Sequence, residues 1–176
     1  RPIKSARIWG RDVSKARVLA KTLSSELGIE VLETEDLSGS VSETDIIITS
    51  TPSNKPLVMA EWLKPGIHIT AMGSDQDHKC ELEPECLARA DCYVPDYQPQ
   101  TEILGELRSA IQSGIIPATK KFSDLGTVVS GKKGGRLRAE DITIADLTGT
   151  GMQDTAIATF ARQQAEEKNV GIEIDC

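Results

Sequence analysis

Aromatic side chains are scarce in this sequence: 3% of its 176 residues, two each of Trp, Tyr and Phe. That leaves no stacking platform for nucleic-acid bases. Cationic charge is also short. Twenty Lys and Arg against 27 Asp and Glu give a net charge of −7, which argues against nucleic acid or an anionic membrane surface as partner. No apolar run approaches the roughly 20 residues that span a bilayer. No signal peptide, internal repeat or low-complexity segment is visible. The four cysteines, Cys80, Cys86, Cys92 and Cys176, lack the close pairing, about two to four residues apart, of a structural zinc site. They read as unpaired thiols of a cytoplasmic protein, and no metal centre is expected. What remains, 39% hydrophobic and 27% charged residues, suits one folded, soluble domain with a core of its own.

Read in order, Ala6 to Trp9 is a short strand, and Val13 to Leu27 a helix with Ala16, Ala20, Leu23 and Leu27 on its apolar side. Asp12 suits its N-cap and Gly28 its end. Ile29 to Leu32 completes a β-α-β unit, which favours parallel strands. Ile46 to Ser50 is a β-branched run expected to be buried on both faces. It ends in Thr51-Pro52-Ser53-Asn54, either a polar turn or a lip for a ribose and diphosphate. Pro84 to Arg89 is a short helix, Cys92 to Val94 a strand, and Thr101 to Ser113 a helix whose apolar side holds Ile103, Leu107, Ala110 and Ile111. The basic loop Lys132 to Arg138 reads as an exposed connector. Ile142 to Leu147 is the last strand. Thr148-Gly149-Thr150-Gly151 then opens a helix with Met152, Ala156, Phe160 and Ala161 at core spacing.

The stretch that organises the chain is Ile67 to Leu82. A strand breaks at Met72-Gly73-Ser74 and delivers Asp75, Asp77, His78, Lys79 and Glu81. Ligands of open α/β sheets sit outside the carboxyl ends of the strands, where a carboxylate can exchange protons with a small molecule. A solvated loop would read the same way.

The segment G-S-D-x-x-x-K-x-E-L, with Gln98 to Leu107 and Asp141 to Asp154 following in order, resembles the blocks of the ornithine cyclodeaminase/mu-crystallin family. The wording A-M-G-S-D-x-x-H-K and D-L-T-G-T-G-x-Q-D is closest to its ectoine-utilisation cyclodeaminase branch. The resemblance implies an α/β fold: a Rossmann-like, doubly wound parallel sheet. It implies a homodimer and nicotinamide chemistry at a carbon bearing nitrogen, as a cyclodeaminase or imine reductase of a small amino acid. Iminosuccinate reduction, amino-acid dehydrogenation, a non-catalytic crystallin-like binder and an inactive fragment are the alternatives; retention of Asp75 argues for an enzyme.

Within that likeness Asp75 matches the catalytic carboxylate, a general acid/base. Lys79 and Glu81 are read as an ion pair that sets the loop, and His78 as a branch marker or substrate contact. Gly10, Arg11, Asp12, Thr51, Pro52, Ser53, Met72, Gly73, Thr148 and Gly149 are the cofactor-binding candidates. Where an acid would read the ribose 2′-hydroxyl of NAD, Gly10 and then Arg11 stand, which favours NADP(H) over NAD(H); Asp12 keeps NAD in play. No G-x-G-x-x-G turn precedes the first strand. The chain therefore reads as the carboxyl-terminal part of a longer enzyme. Residues 1–150 are expected to form an incomplete dinucleotide-binding domain. Residues 151–176 are a helix and tail returning toward an absent dimerisation and substrate domain, and the sheet is expected to be split where its first strand is missing.

Overall fold

Asp12 starts the first helix by accepting a hydrogen bond from the Lys15 amide, and Gly28 ends it with φ +66°, a conformation that favours glycine. Helix α1 (Val13–Leu27) thus joins β1 (Ser5–Trp9) to β2 (Glu30–Thr34), and the two strands pair in parallel with Ser5 opposite Glu30. The structure is a computed structural model and describes residues 2–172; Cys176 lies outside the described residues. Ala16 and Ala20 are buried, but Leu27 is exposed, beyond the reach of the two strands.

After α2 (Leu37–Glu43), capped by Asp36, come β3 (Ile46–Thr49), β4 (Asn54–Val58), β5 (His68–Ala71), β6 (Cys80–Leu82), α3 (Pro84–Arg89) and β7 (Cys92–Pro95). Then follow α4 (Gln98–Thr101), α5 (Glu106–Gln112), α6 (Leu125–Val129), β8 (Thr143–Asp146) and α7 (Gly151–Lys168). The main sheet runs β3-β5-β8-β7, while β1-β2 and β4-β6 form separate pairs. Every pairing is parallel. The fold is α/β with a doubly wound, all-parallel sheet, so the carboxyl ends of its strands share one edge. The core packs Ile67, Ile69, Leu82, Cys86, Leu107 and Ile144 between β5, β8 and the helices. Each such side chain contributes about 1.5–3 kcal/mol of burial.

Four expectations change. The Ile46–Thr49 strand is not buried on both faces: Ile48 is 66% exposed, because β3 edges the main sheet and no described helix covers that face. Strands β4 and β6 went unread, since a three-residue strand shows no alternation and Pro56 argues against a strand; it is tolerated because β4 pairs only with β6. The helix over 101–113 is two pieces, broken at Gly105, where an added Cβ would lie 2.7 Å from Asp146 Oδ2; Ile103 is consequently exposed. Met152, Ala156, Phe160 and Ala161 are all exposed, because α7 extends from the sheet edge with none of its residues buried.

The basic loop is largely exposed, yet Arg136 pins it. Its guanidinium donates to the carbonyls of Ile67, Ala139 and Asp141 and to Thr143 Oγ1.

Candidate active site

Three strand ends build the site. Past β1, the chain leaves the sheet at Gly10-Arg11-Asp12; past β3, at Thr51-Pro52-Ser53. The structure brings these two groups together around a cavity of about 180 Å³ that Trp9 and Leu57 also line. A neighbouring cavity of about 340 Å³ adds Asp12 and Lys15 beside Arg11. Asp12 and Arg11 therefore share one lip.

The third end is that of β5. Its ladder to β3 closes with the Met72 amide donating to the Thr49 carbonyl at 2.9 Å. Gly73 and Ser74 follow, then Asp75, half-exposed on the edge. Lys79 Nζ lies 2.5 Å from Asp75 Oδ1. That hydrogen bond holds the Asp75 carboxyl below the usual carboxylate range. The loop is fixed through the Lys79 carbonyl, which accepts from Ser74 Oγ at 2.8 Å and from Arg108 Nη2 at 2.6 Å. His78 is exposed and meets Asp77 at 3.2 Å.

The expected Lys79–Glu81 ion pair is absent. Lys79 turns to Asp75, whereas Glu81, on β6, faces inward and is wholly buried. Its Oε1 accepts from the Thr51 amide at 2.5 Å and Thr51 Oγ1 at 2.7 Å, and its Oε2 from the Gly73 amide at 2.9 Å. Lys79 sits in the loop before β6 and reaches out to Asp75, whereas Glu81 lies within the strand with both oxygens taken by Thr51 and Gly73, which is why the two do not pair.

Thr148 and Gly149 lie past β8. Asp96 accepts from Thr148 Oγ1 at 3.1 Å and from the Gly149 amide at 2.8 Å, and Gln100 donates to the Gly149 carbonyl at 2.6 Å. The turn is thus already anchored by side chains. Thr150 and Gln153 close a capping box on α7.

Sequence reasoning missed a buried acidic layer beneath these ends. Glu106 accepts from the amides of Glu81 at 2.8 Å and Leu82 at 3.3 Å. Asp146 accepts from Tyr93 Oη at 2.6 Å and the Leu107 amide at 3.2 Å. Burial, with Asp146 repelling it, pushes Glu106 up to about 8, and burial pushes Asp146 up to about 7. The available signal was an acid inside an apolar run, as in Ala145-Asp146-Leu147.

Two groups raised in this way favour the folded state most where they are protonated in both states. Their contribution is full below about pH 4 and is lost as pH rises through about 7 for Asp146 and about 8 for Glu106. Urea midpoints should therefore fall between about pH 5 and about pH 9. In Glu106→Gln the fall should be shallower, with a loss of about 1 kcal/mol because the amide nitrogen cannot accept from a backbone N–H. A midpoint that is level across this range would contradict the assignment.

Burial also raises the Cys80 thiol to about 11 and Cys86 to about 12, which leaves neither a nucleophile near neutrality. Among the described residues no group of His, Cys, Asp and Glu side chains is placed to hold a metal ion, and no helix is long and apolar enough to cross a membrane.

Comparison with known proteins bears on this edge. The family model described as ornithine cyclodeaminase/mu-crystallin matches residues 1–169. An uncharacterised cyclodeaminase of Sinorhizobium fredii is 52% identical over 97% of this chain and 52% of its own length. An archaeal alanine dehydrogenase dimer with bound NAD superposes with TM-score 0.86 at 35% identity, over 98% of this chain and 53% of that one. The iminosuccinate reductase of Paracoccus denitrificans in complex with NAD+ gives 0.86 and 35%, over 98% and 52%. The chain spans about half the length of these relatives.

Two expectations are corrected. The likeness to the family is not restricted to a carboxyl-terminal part of the chain but takes in residues 1–169, and nothing in these relatives singles out the ectoine-utilisation branch. The preference for NADP(H) read from Arg11 is overturned by solved relatives that hold NAD or NAD+, in keeping with the Asp12 carboxylate on the same lip. With its motifs, its fold and 169 matched residues in agreement, the chain belongs to the ornithine cyclodeaminase/mu-crystallin family.

Proposed function

We propose that this chain works in an NAD(H)-dependent oxidoreductase that interconverts a small amino acid and its imine. The observation that carries the reading is one of place. The Asp75–Lys79 pair stands on the same strand-end edge as the cavity between Gly10-Arg11 and Thr51-Pro52-Ser53. The likeness to an alanine dehydrogenase and an iminosuccinate reductase favours simple imine reduction or amine oxidation over ring-closing deamination.

The residues present fit the adenosine side of a dinucleotide. Gly10 leaves open space where a side chain would stand, Asp12 and Arg11 flank the cavity, and Thr49 Oγ1 is buried without a partner at the end of β3. A bound nicotinamide would supply or accept the hydride. Asp75, kept ionised by Lys79, stabilises the cationic iminium and takes the proton of the amine in the oxidative direction. On the same reading Met72, Asp77 and His78, past β5, and Thr148 and Gly149, past β8, serve the nicotinamide and substrate end of the site.

The proposal extends to organisation. Residues 1–150 serve as the dinucleotide-binding unit. Residues 151–176 lead from it toward the surface of a homodimer, a role supported by the exposed Met152, Ile157 and Phe160 on α7. A cytoplasmic setting is supported by the unpaired Cys80, Cys86 and Cys92.

Mixing the natural protein with NADH, ammonium and oxaloacetate or pyruvate should deplete NADH only when all components are present. NADH should bind at least about tenfold more tightly than NADPH, a difference of about 1.4 kcal/mol. Failure to bind NADH would remove the reading.

A further inference from the structure

We propose that Glu81 is a positioning residue that fixes the width of the crevice between the nucleotide lip and the loop bearing Asp75. The proposal rests on the dinucleotide reading above and assigns a further residue to that site.

Parallel strands β3 and β5 are locked in register from Ile46 opposite His68 to Thr49 opposite Ala71. The last bond joining them is Met72 N–H to the Thr49 carbonyl. Beyond it the Thr51 carbonyl still lies against Gly73, but the amides of Thr51 and Gly73 turn away from the ladder. Both donate to the one Glu81 carboxyl, which also takes the Thr51 hydroxyl. A single side chain therefore continues the ladder past the point where the register of β3 and β5 ends. On one side hangs Thr51, which lines the cavity with Gly10 and Arg11. On the other hangs Gly73, two residues before Asp75.

Three features mark this as a built arrangement. Glu81 is 0% exposed and enters no ion pair among the described residues, so the bonds above are what hold it. Gly73 leaves room for it: a Cβ there would overlap Glu81 Oε2 and the Thr51 carbonyl oxygen and lie 2.5 Å from Glu81 Cδ. The backbone of Glu81 is tethered as well. Its amide donates to Glu106 Oε1 at 2.8 Å, and the preceding Cys80 amide donates to the Ser53 carbonyl at 2.8 Å. The carboxyl is thus held from behind while its two oxygens set the distance in front. A buried group bonded in this way resists displacement, since each unmade bond leaves a buried polar atom unpaired.

The test is made on the natural protein with Glu81→Gln, Thr51→Val and the double variant, reading NADH affinity by fluorescence, kcat and KM. A glutamine can accept through one atom only and must turn its amide toward either Thr51 or Gly73. Glu81→Gln should weaken NADH binding about tenfold and lower kcat by a further order of magnitude. Thr51→Val should weaken NADH binding in the wild-type background and have little added effect in the Glu81→Gln background, the non-additivity expected of one linked unit. If Glu81→Gln only reduces the folded fraction, with NADH affinity and KM of the folded protein unchanged, Glu81 is structural and the proposal falls. Should Glu81→Gln fail to fold, Thr51→Val alone decides: unchanged NADH affinity overturns the proposal. Absence of NADH binding by the wild type overturns the underlying reading instead, so the two failures are told apart.

Discussion

Replacing Asp75 with Asn should lower turnover by about 10²–10⁴-fold and leave NADH affinity within about twofold. In the proposed reaction a proton moves at the nitrogen while a hydride moves at the carbon, so a group able to carry the proton is needed at the strand edge. Asp75 is the carboxylate placed there, with Lys79 Nζ 2.5 Å away. Asn keeps the size and a carbonyl oxygen but can neither take up a proton nor balance an iminium charge. The loop should survive the change, because the Lys79 carbonyl stays bonded to Ser74 and Arg108. Steady-state kinetics beside an NADH titration separates the two effects. Turnover within about threefold of wild type would remove Asp75 from the mechanism. Since Lys79 holds the carboxyl below its usual range, the acid limb of the pH–rate profile should lie lower than for a free carboxylate. Lys79→Met should move that limb up.

The largest effect on stability is expected from Gly73→Ala. One methyl is added, but it enters the space already held by Glu81 Oε2 and the Thr51 carbonyl oxygen. Neither neighbour can retreat: the carboxyl is wholly buried with both oxygens engaged, and the Thr51 oxygen is backbone. Overpacking of this kind costs about 1–3 kcal/mol, and displacing Glu81 from the Gly73 amide adds about 1 kcal/mol. For a chain of this size each kcal/mol moves the melting temperature by roughly 2–4 °C, so a fall of about 5–15 °C should be seen by calorimetry. Weaker NADH binding should accompany it. A melting temperature within about 1 °C of wild type would show that the crevice relaxes freely.

These two positions also show where sequence reading succeeds and where it stops. The place of Asp75, just past the carboxyl end of β5, was legible because a strand that ends in small residues and then an acid marks an α/β edge. The β-α-β unit was legible because Asp12 and Gly28 mark helix ends by local backbone rules. Glu81 was misread because its partners, Thr51 and Gly73, are assembled by strand pairing rather than by nearness in sequence; the nearest cation, Lys79, suggested an ion pair instead. Glu106 and Asp146 escaped notice for the same reason. Their burial depends on α5 docking its first turn onto β8, which the unbroken helical periodicity over 101–113 concealed. The cofactor preference went wrong because Arg11 was given more weight than Asp12, whose carboxylate shares its lip.

The order of strands in the main sheet has a consequence for biosynthesis. Strand β8 is made after β5 and β7, yet it lies between them. As the chain emerges from the ribosome, β7 has no neighbour to pair with, and β5 keeps one edge open until Thr143–Asp146 appears. The buried acids follow the same schedule: Tyr93 and the first turn of α5 wait for Asp146 to arrive. A nascent chain paused before this segment would expose two unpaired strand edges and the apolar side chains of Ile69 and Tyr93. Such intermediates are where parallel sheets are most open to chaperone capture and to mispairing with another copy.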